Sequence, residues 1–432
     1  MTTGQLQNQG NTEPETADMV QSVTETTCCI VGGGAAGAVL GLLLARKGVD
    51  VTLLESHHDF DREFRGDTLH PSVMEIMEEL GLAERLLELR HNKISSFTLQ
   101  TAAGDFTPVD LTRLDTPYPY ITMMPQKNFL EFITEEAASY PNFQLVMGAK
   151  ARELVEADSK VYGVRYESDD GKHEVRARLT VGADGRGSRM RKLAGFEPIK
   201  TSPPMDVLWF QLPREEGDQQ GAVGRFGQGH IAIMLDRFDY WQAGYVIPKG
   251  TFPELRKAGV EKLRENFAAL APEYGYRVEH LQDWKQMSLL SVESSRCEKW
   301  YKPGLLLIGD AAHVMSPVAG VGINYAIQDA VATANILGGP LSREEVRTED
   351  LAAVQRRREW PTRFIQRVQS VVQRSILAPA LETNQPFTPP APVRLLLSIP
   401  LVRAVPARLV AYGLRPVHVE DEQIRVAESR SA

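Results

Sequence analysis

The spacing of apolar and polar residues along the chain predicts alternating strands and helices. The apolar run Cys28–Val31 precedes a glycine-rich turn, the helix-length segment Ala35–Lys47 follows, and Val49–Leu54 is a second apolar run. Apolar residues recur at helical spacing in Pro71–Leu89, where Gly81 breaks the pattern, and the helical pattern returns from Gln126 to Tyr140. The order strand, helix, strand at the start of the chain is typical of a parallel βαβ unit.

The middle of the chain is patterned mainly as strands. Residues 143–183 and 205–249 are short runs separated by turns, which predicts two sets of strands. Leu305–Ile308 reads as a buried strand that leads into a loop and then a helix. Helical patterns also lie around Leu255–Ala271 and from residue 342 to 376, so the chain is expected to end in helices.

Composition limits the classes of protein that this chain can belong to. Its 432 residues favour two packed domains, and the net charge of −8 argues against a general nucleic-acid binder. Three cysteines cannot form a disulfide framework, so a cytoplasmic location is expected. The sequence contains neither a secretory signal pattern nor an apolar run long enough for a transmembrane segment. The first 25 residues are polar and are predicted to be a disordered tail.

The glycine-rich turn carries the first chemical signal. Gly32, Gly34 and Gly37 stand in G-x-G-x-x-G spacing, and each glycine suits one need of a dinucleotide site. The first permits a tight turn, the second lets a pyrophosphate approach the backbone, and the third permits close packing of helix on strand. Glu55 follows at about the 20-residue separation expected of the acid that accepts a ribose hydroxyl. The turn is therefore predicted to bind a dinucleotide.

Two further stretches add acids beside glycines. Asp184 and Gly185 end a strand in GADGRGS, where the alternative is a simple turn closed by the aspartate side chain. Gly309 and Asp310 follow the strand at Leu305, and a carboxylate there is suited to accepting hydroxyls of a sugar or ribityl chain. A loop with Pro317, Gly320 and Gly322 then opens a helix, whose amino end would stabilise an anionic ring. His313 is expected to be a structural hydrogen-bonding residue.

The three stretches, in this order, resemble the signatures of the group A flavoprotein monooxygenases, the para-hydroxybenzoate hydroxylase-like family. The resemblance implies an α/β fold with a Rossmann-like, glutathione reductase-like FAD-binding domain, an inserted antiparallel-sheet substrate domain and C-terminal helices. The FAD-binding domain would comprise residues 26–75, 116–190 and 296–345, the substrate domain residues 76–115 and 191–295, and the helical region residues 346–432.

The resemblance also implies which residues hold the cofactor. Glu55, with Ser56 beside it, would hold the adenosine ribose, Asp310 the ribityl chain, and the turn after Val31 the pyrophosphate. The amides near Gly322–Asn324 would face the isoalloxazine ring, and Arg65 resembles a family arginine that contacts FAD. The full set of expected cofactor-binding residues is Gly32, Gly34, Ala36, Gly37, Glu55, Ser56, Arg65, Gln126, Asp184, Gly309, Asp310, Pro317, Gly320, Gly322, Ile323 and Asn324.

A member of this family would reduce FAD with NADPH or NADH and use molecular oxygen to hydroxylate an aromatic or other electron-rich, largely apolar small molecule through a flavin hydroperoxide. The substrate pocket is expected on the second sheet, and ordinary sheet packing is the alternative for each of its candidate residues. These candidates are Trp209, His230, Trp241 and Tyr245, and no catalytic residue or metal site is assigned.

Several alternatives stay open from the sequence. One is a reductase of the geranylgeranyl reductase type, and another is an FAD-binding protein without turnover. Val321 stands where many aromatic hydroxylases of the family have Gln, a departure that argues for a different ring environment and against a phenolic substrate. The signature of the related flavin halogenases is absent. The apolar, basic segment Val393–Arg415 would suit contact with a membrane surface or packing on the domain, and the protein would be a monomer or a homodimer.

Overall fold

A computed structural model describes residues 20–61, 68–102, 104–218, 221–227, 229–383, 385, 387–388 and 400–420. Within these ranges the strands, in chain order, are β1 (Ser22–Val31), β2 (Val51–Leu54), β3 (Thr68–Leu69), β4 (Asn92–Ile94), β5 (Ser96–Thr101), β6 (Gly104–Asp110), β7 (Ile121–Met123), β8 (Phe143–Val146), β9 (Lys150–Ala157), β10 (Lys160–Ser168), β11 (Gly171–Gly182), β12 (Pro198–Thr201), β13 (Met205–Pro213), β14 (Ala222–Phe226), β15 (Ile231–Asp236), β16 (Tyr240–Pro248), β17 (Met287–Leu290), β18 (Ser294–Cys297), β19 (Tyr301–Lys302), β20 (Leu305–Leu307) and β21 (His313–Val314).

The helices of the same ranges are α1 (Ala35–Arg46), α2 (Pro71–Glu79), α3 (Ala83–Glu88), α4 (Gln126–Ala138), α5 (Arg189–Leu193), α6 (Phe252–Ala258), α7 (Val260–Leu270), α8 (Gly322–Ser342), α9 (Thr348–Val372), α10 (Ala378–Glu382) and α11 (Pro400–Tyr412). A π-helical turn, Gln373–Leu377, joins α9 to α10. Short 3-10 turns lie at Leu111–Arg113, Pro272–Tyr274, Arg277–His280, Trp284–Gln286, Gly309–Ala311 and Val318–Gly320.

The first domain is built on a sheet that runs in the order β19–β20–β11–β1–β2–β8, with β10 and β9 added beside β11. β1 pairs in parallel with both β11 and β2, and β20 and β8 extend the parallel part on either side. All four residues of β2 and all three of β20 are buried, as is typical of strands in a parallel sheet.

Helix α1 lies at the centre of the largest apolar core. Eleven of its residues are buried, since the sheet packs on one side of the helix and α8 and α4 pack on others. Val73, Met77 and Leu86, from α2 and α3, belong to this same core. Residues 76–88 therefore pack with the FAD-binding domain, which corrects their expected place in the substrate domain.

The second domain is a sheet in the order β17–β13–β16–β15–β14–β5–β6. One face carries Leu208, Phe210 and Leu212 and packs on α7. The opposite face carries Met205 and Val207 and contacts Val318 and the π-helical turn. The sheet therefore has one helix-covered face and one face directed toward the loop before α8.

The predicted elements agree closely with the observed ones, with three corrections. β1 begins at Ser22, inside the predicted tail, because Ser22–Thr26 pair with β11. The helix predicted around Leu255–Ala271 is divided into α6 and α7 at Gly259, whose φ of 97° is outside the helical region. The helix expected to run to residue 376 ends at Val372, where the π-helical turn begins.

The C-terminal segment packs on the domain. Ala407 and Ala411 of α11 are fully buried beside Leu111. The Tyr412 hydroxyl donates to Oε1 of Glu75 at 2.7 Å. Within the described residues, none of the helices has both the length and the apolar character that a bilayer span requires.

A buried ion pair holds the helix-covered face of the second sheet. The guanidinium of Arg277 donates to both carboxylate oxygens of Asp218, at 2.5 and 2.7 Å, and Nε1 of Trp241 donates to the same carboxylate at 2.9 Å. The hydrogen bond from Arg277, aided by that from Trp241 and by the positive charge, holds the pKa of Asp218 well below its usual range.

We predict that Asp218→Asn destabilises the protein near neutral pH by on the order of 3 kcal/mol, because Arg277 would keep a buried charge without its main partner. Since the folded pKa of Asp218 is depressed, its contribution is present above the unfolded pKa of about 3.9 and is lost as the pH falls through the folded value. Urea unfolding across this pH range measures the difference, and a constant difference at all pH values would contradict the prediction.

Candidate FAD site

The three sequence stretches meet at one edge of the first sheet. Val31 lies beside Leu54 and Gly182 in register, and Gly182 lies beside Leu307. Because these strands are parallel, the residues that follow their carboxyl ends gather at the same edge, where open α/β sheets bind ligands. Gly32, Glu55, Asp184 and Asp310 therefore converge, although they are far apart in the chain.

The first turn fits tightly against the second stretch. Gly32 has a φ of +108°, and a Cβ built there would lie 2.5 Å from the carbonyl oxygen of Ala183 and 2.7 Å from Cα of Asp184. A Cβ at Gly37 would lie 1.9 Å from the carbonyl oxygen of Gly32. A side chain at Gly32 would force the two stretches apart, and one at Gly37 would push α1 away from the glycine turn, so both glycines are required by the fold itself.

Gly34 differs from these two glycines. A Cβ added there would meet no described atom within 4 Å, and its extended backbone, with φ −71° and ψ −178°, is open to any residue. Gly34 precedes α1, whose first turn carries no acid and is capped by none of the described side chains. The backbone amides at the start of α1 therefore border open space, as an anion-binding helix terminus requires.

Glu55 holds the glycine turn in place. Its side chain is nearly buried, Oε2 accepts from the amide of Gly33 at 2.8 Å, and Oε1 accepts from the amide of His57 at 2.9 Å. The hydroxyl of Ser56 also donates to Oε1, at 3.3 Å. The acid expected at the ribose is thus oriented by the turn that would hold the pyrophosphate.

Asp184 lies at the same edge but uses its oxygens within its own loop. Oδ1 accepts from the Ser188 hydroxyl at 2.6 Å, and Oδ2 accepts from the amides of Arg189 and Met190 at 2.6 and 2.9 Å. Burial raises the pKa of Asp184, and these hydrogen bonds act in the opposite direction. The carboxylate therefore orders the start of α5, as the simple-turn alternative expected.

Arg191 ties the second stretch to the third, and sequence reasoning gave it no role. Its buried guanidinium donates to the carbonyl of Ala311 at 3.0 Å and to that of Arg186 at 2.9 Å. Three arginines stand close together at residues 186, 189 and 191, so the sequence offers no signal that distinguishes the buried one. Its contacts fix the Gly309–Ala311 turn against the loop of Asp184.

A buried carboxylate supports the third stretch from below. Oδ2 of Asp329 accepts from the amide of Gly309 at 3.0 Å and from Nε2 of His313 at 2.6 Å, and Oδ1 accepts from Nε of Arg358 at 2.7 Å. Burial alone would raise the pKa of Asp329, but the charges and hydrogen bonds of His313 and Arg358 outweigh it and hold the pKa below its usual value. His313 is therefore a structural residue, as expected.

The loop before α8 is held in a strained conformation. Ala319 and Gly320 have φ values of +66° and +63°, and the alanine costs roughly 1 kcal/mol in this region. The hydroxyl of Thr68 and Nδ2 of Asn324 both donate to the carbonyl of Gly320, at 2.9 and 3.3 Å. Oδ1 of Asn324 accepts from the amide of His70 at 2.8 Å. The side chain of Asn324 is thus structural.

His70 joins this loop region to the C-terminal helix. Its Nδ1 contacts the carbonyl of Val410 in α11 at 2.7 Å, which requires the proton on Nδ1. Burial lowers the pKa of His70 to about 4, although the hydrogen bond to Val410 opposes this, so the ring is neutral at physiological pH. The side chain is fully buried in this arrangement.

The remaining expected cofactor residues are placed as follows. Gln126 is half-buried and begins α4. Ala36, in the first turn of α1, packs so closely on Gly309 that a Cβ at that glycine would lie 3.2 Å from its own. Pro317 precedes the strained pair, and Gly322 and Ile323 begin α8, whose first turn also carries no acid. Arg65 lies outside the described residues.

Comparison with known proteins shows the family to which the chain belongs. Residues 25–368 match the family model described as FAD binding domain. The chain is 34% identical to 6-methylpretetramide 4-monooxygenase of Streptomyces rimosus over 406 residues, which cover 93% of this chain and 96% of the relative. The chain belongs to the group A flavoprotein monooxygenases. It is an FAD-dependent oxidoreductase, and the resemblance expected from the sequence is confirmed.

Other comparisons agree with this family. The chain is 29% identical to rifampicin monooxygenase of Streptomyces venezuelae over 70% of its own length and 61% of that relative's. The solved structure of pqsL, a probable FAD-dependent monooxygenase from Pseudomonas aeruginosa, matches 83% of this chain and 100% of that one, with a TM-score of 0.71 and 21% identity. This structure confirms the expected fold class. The relatives do not favour the geranylgeranyl reductase alternative.

The edge of this group A monooxygenase fits FAD. The space beside Gly34 and the uncapped start of α1 suit a pyrophosphate, and the carboxylate of Glu55 suits a sugar hydroxyl. Asp310, in the turn Gly309–Ala311, follows β20 at the same edge, and a carboxylate has the chemistry to accept hydroxyls of a ribityl chain. Among the described residues, no group of three or more His, Cys, Asp or Glu side chains is arranged to hold a metal ion.

The four pocket candidates lie on two faces of the second sheet. Trp241 and Tyr245 belong to the core beneath α7, and the Tyr245 hydroxyl contacts Nδ1 of His230 at 2.5 Å. These three therefore lie on the helix-covered face, away from the loop before α8. Trp209 lies on the other face, in the cluster that includes Val318. Its ring covers Gly244, where a Cβ would lie 2.8 Å from the indole.

We predict that Gly34→Ala separates FAD binding from stability. The free energy of unfolding of the FAD-free protein should change by less than about 1 kcal/mol, because the backbone and the surrounding space accept a methyl group. The Kd for FAD should rise at least about tenfold, because the methyl would occupy the space of the pyrophosphate.

FAD titration and urea unfolding of the FAD-free protein measure the two effects. Gly37→Ala is the matched comparison, since its Cβ would collide with Gly32 inside the protein and should lower stability itself. An unchanged Kd in the Gly34 variant would contradict the placement of the pyrophosphate.

Proposed function

We propose that this enzyme hydroxylates a phenolic substrate built of fused aromatic rings, with NADPH or NADH as electron donor. The observation that carries the proposal is the end-to-end likeness to 6-methylpretetramide 4-monooxygenase. That likeness covers the substrate sheet and much of the C-terminal helical region as well as the FAD-binding domain. A shared substrate sheet supports a substrate of similar chemical class.

FAD, when bound and reduced by the nicotinamide donor, would supply the chemistry that uses oxygen. The protein would position the substrate and exclude water from the site. Val207 and Ile231, which are buried, and the half-buried Trp209 give the other face of the second sheet an apolar surface. Val318, which precedes the strained pair Ala319–Gly320, packs in the same cluster. A flat aromatic substrate held between this face and the loop would lie against apolar groups that exclude water.

Trp209 is the proposed stacking residue. It is half-buried, and its ring extends over Gly244, its cross-strand partner in β16, where the missing side chain provides the room. A planar ring system can stack on such a surface in an offset arrangement, which stabilises aromatic pairs by about 1 kcal/mol beyond the area they bury.

The activity is tested with purified, FAD-loaded enzyme and a panel of polyphenolic fused-ring compounds. A substrate should accelerate the oxidation of NADPH or NADH together with oxygen consumption, and ¹⁸O₂ should place one labelled atom in the product. Turnover of a double bond in the absence of oxygen would support the reductase alternative and overturn the proposal. FAD binding with no oxidation of either donor would indicate a protein without turnover.

We predict that Trp209→Ala raises the KM for the aromatic substrate by about tenfold, because the stacking surface is lost. FAD content and the slow NADPH oxidation without substrate should stay unchanged. Tyr245→Phe is the matched control on the opposite face of the sheet: it loses the contacts of its hydroxyl to His230 and Asn266 and should leave KM unaltered. Equal KM values in both variants would remove Trp209 from the pocket.

A further inference from the structure

Helix α9 and the π-helical turn that follows it carry a row of buried glutamines. Gln355, Gln366, Gln369 and Gln373 are each at most 9% exposed, although glutamine is usually found at the surface. A buried amide is costly unless its polar atoms are hydrogen-bonded. Each of these side chains donates to backbone or hydroxyl oxygens of neighbouring segments, so the row ties α9 to other parts of the fold.

Three of the glutamines hold one segment. Nε2 of Gln366 donates to the carbonyls of Ser295 and Val314, at 2.9 and 3.0 Å. Nε2 of Gln369 donates to the carbonyls of Ser316 and Val318, at 2.9 and 2.8 Å. Nε2 of Gln373 donates to the Ser316 hydroxyl at 2.5 Å. Residues 314–318 are therefore bound to successive turns of one helix face.

The segment held in this way runs directly into the strained pair Ala319–Gly320. A left-handed alanine persists only where the surrounding structure fixes it from several sides, and such positions are common at functional sites. Thr68 and Asn324 fix the pair on one side through the carbonyl of Gly320. The glutamines fix the preceding residues on the other.

The last glutamine of the row lies where the α-helix changes to a π-helical turn. The π-helical turn begins at Gln373, and Ile376 and Leu377 within it pack on the apolar face of the substrate sheet beside Val318. The same stretch of α9 thus contacts the loop by hydrogen bonds and the substrate sheet by apolar packing. π-helical turns inside helices are frequent at functional sites.

We propose that Gln369 and Gln373 are positioning residues that set the loop 314–320 against the flavin ring. The proposal deepens the proposed function and rests on the expectation that the amides near Gly322–Asn324, directly after this loop, face the isoalloxazine ring. The glutamines do not touch the reacting atoms. Gln369 fixes the carbonyls of Ser316 and Val318 and Gln373 fixes the hydroxyl of Ser316, so together they fix where Pro317 and the amides that follow it lie. Loss of these bonds would leave two carbonyls without their donor and let the loop shift.

The test compares three variants that each replace one glutamine of this row with leucine. Gln369→Leu removes the two bonds to the loop, and Gln373→Leu removes one and is the milder variant. Gln355→Leu is the matched control: its side chain also makes two backbone contacts, to Glu298 and Trp300, but these lie outside the loop. The readouts are the Kd for FAD, the visible absorption spectrum of bound flavin, its reduction potential and the thermal unfolding temperature.

Gln369→Leu should raise the Kd for FAD by about tenfold and shift the flavin absorption band and potential, with a smaller change of the same sign in Gln373→Leu. Gln355→Leu should lower the unfolding temperature by a similar amount and leave Kd, spectrum and potential as in the wild type. If Gln369→Leu fails to fold, Gln373→Leu carries the comparison.

Two results would overturn the proposal. One is an unaltered Kd, spectrum and potential in the loop variants; the other is an equal change in the Gln355 control. Failure of the proposed function looks different, because wild type and variants alike would then show no substrate-stimulated oxygen consumption while the differences in FAD binding remained.

Discussion

The absence of room between Gly32 and the Ala183–Asp184 backbone is the constraint on which the cofactor edge depends. It brings the end of β1 against the end of β11, and β20 follows through its parallel pairing with β11. Two polar residues then complete the contact: Arg191 joins the second stretch to the third, and Asp329 holds Gly309 from beneath. The edge is therefore a rigid frame before any cofactor binds.

Much of this frame follows from the sequence. The glycine spacing, the acid at Glu55 and the three strands that end in glycine predict both the parallel sheet and its ligand edge, because carboxyl ends of parallel strands must coincide. The buried side chains that support this frame cannot be predicted from the sequence. Asp329 and Arg358 lie on different helices, and their contact depends on how α8 and α9 pack. Aspartate and arginine are usually exposed, so their residue types do not predict that these two side chains are buried.

The substrate domain shows a second limit of prediction from the sequence. The alternation of a strand establishes which residues share a face, so Trp241 and Tyr245 belong together and Trp209, opposite Gly244, belongs with the other face. Alternation does not say which face a helix will cover. That choice is made by the apolar side of α7, with Leu263 and Phe267, which covers the Tyr245 face. Helix α7, which follows these strands in the chain, therefore determines which face of the sheet is left to contact the loop before α8.

The contact between His70 and Val410 spans 340 residues and closes over the loop region of the cofactor site. During synthesis, the amino-terminal residues of this site leave the ribosome long before the helix that completes their surroundings. The surroundings of His70 are therefore complete only after α11 has been synthesised and has packed on the first domain.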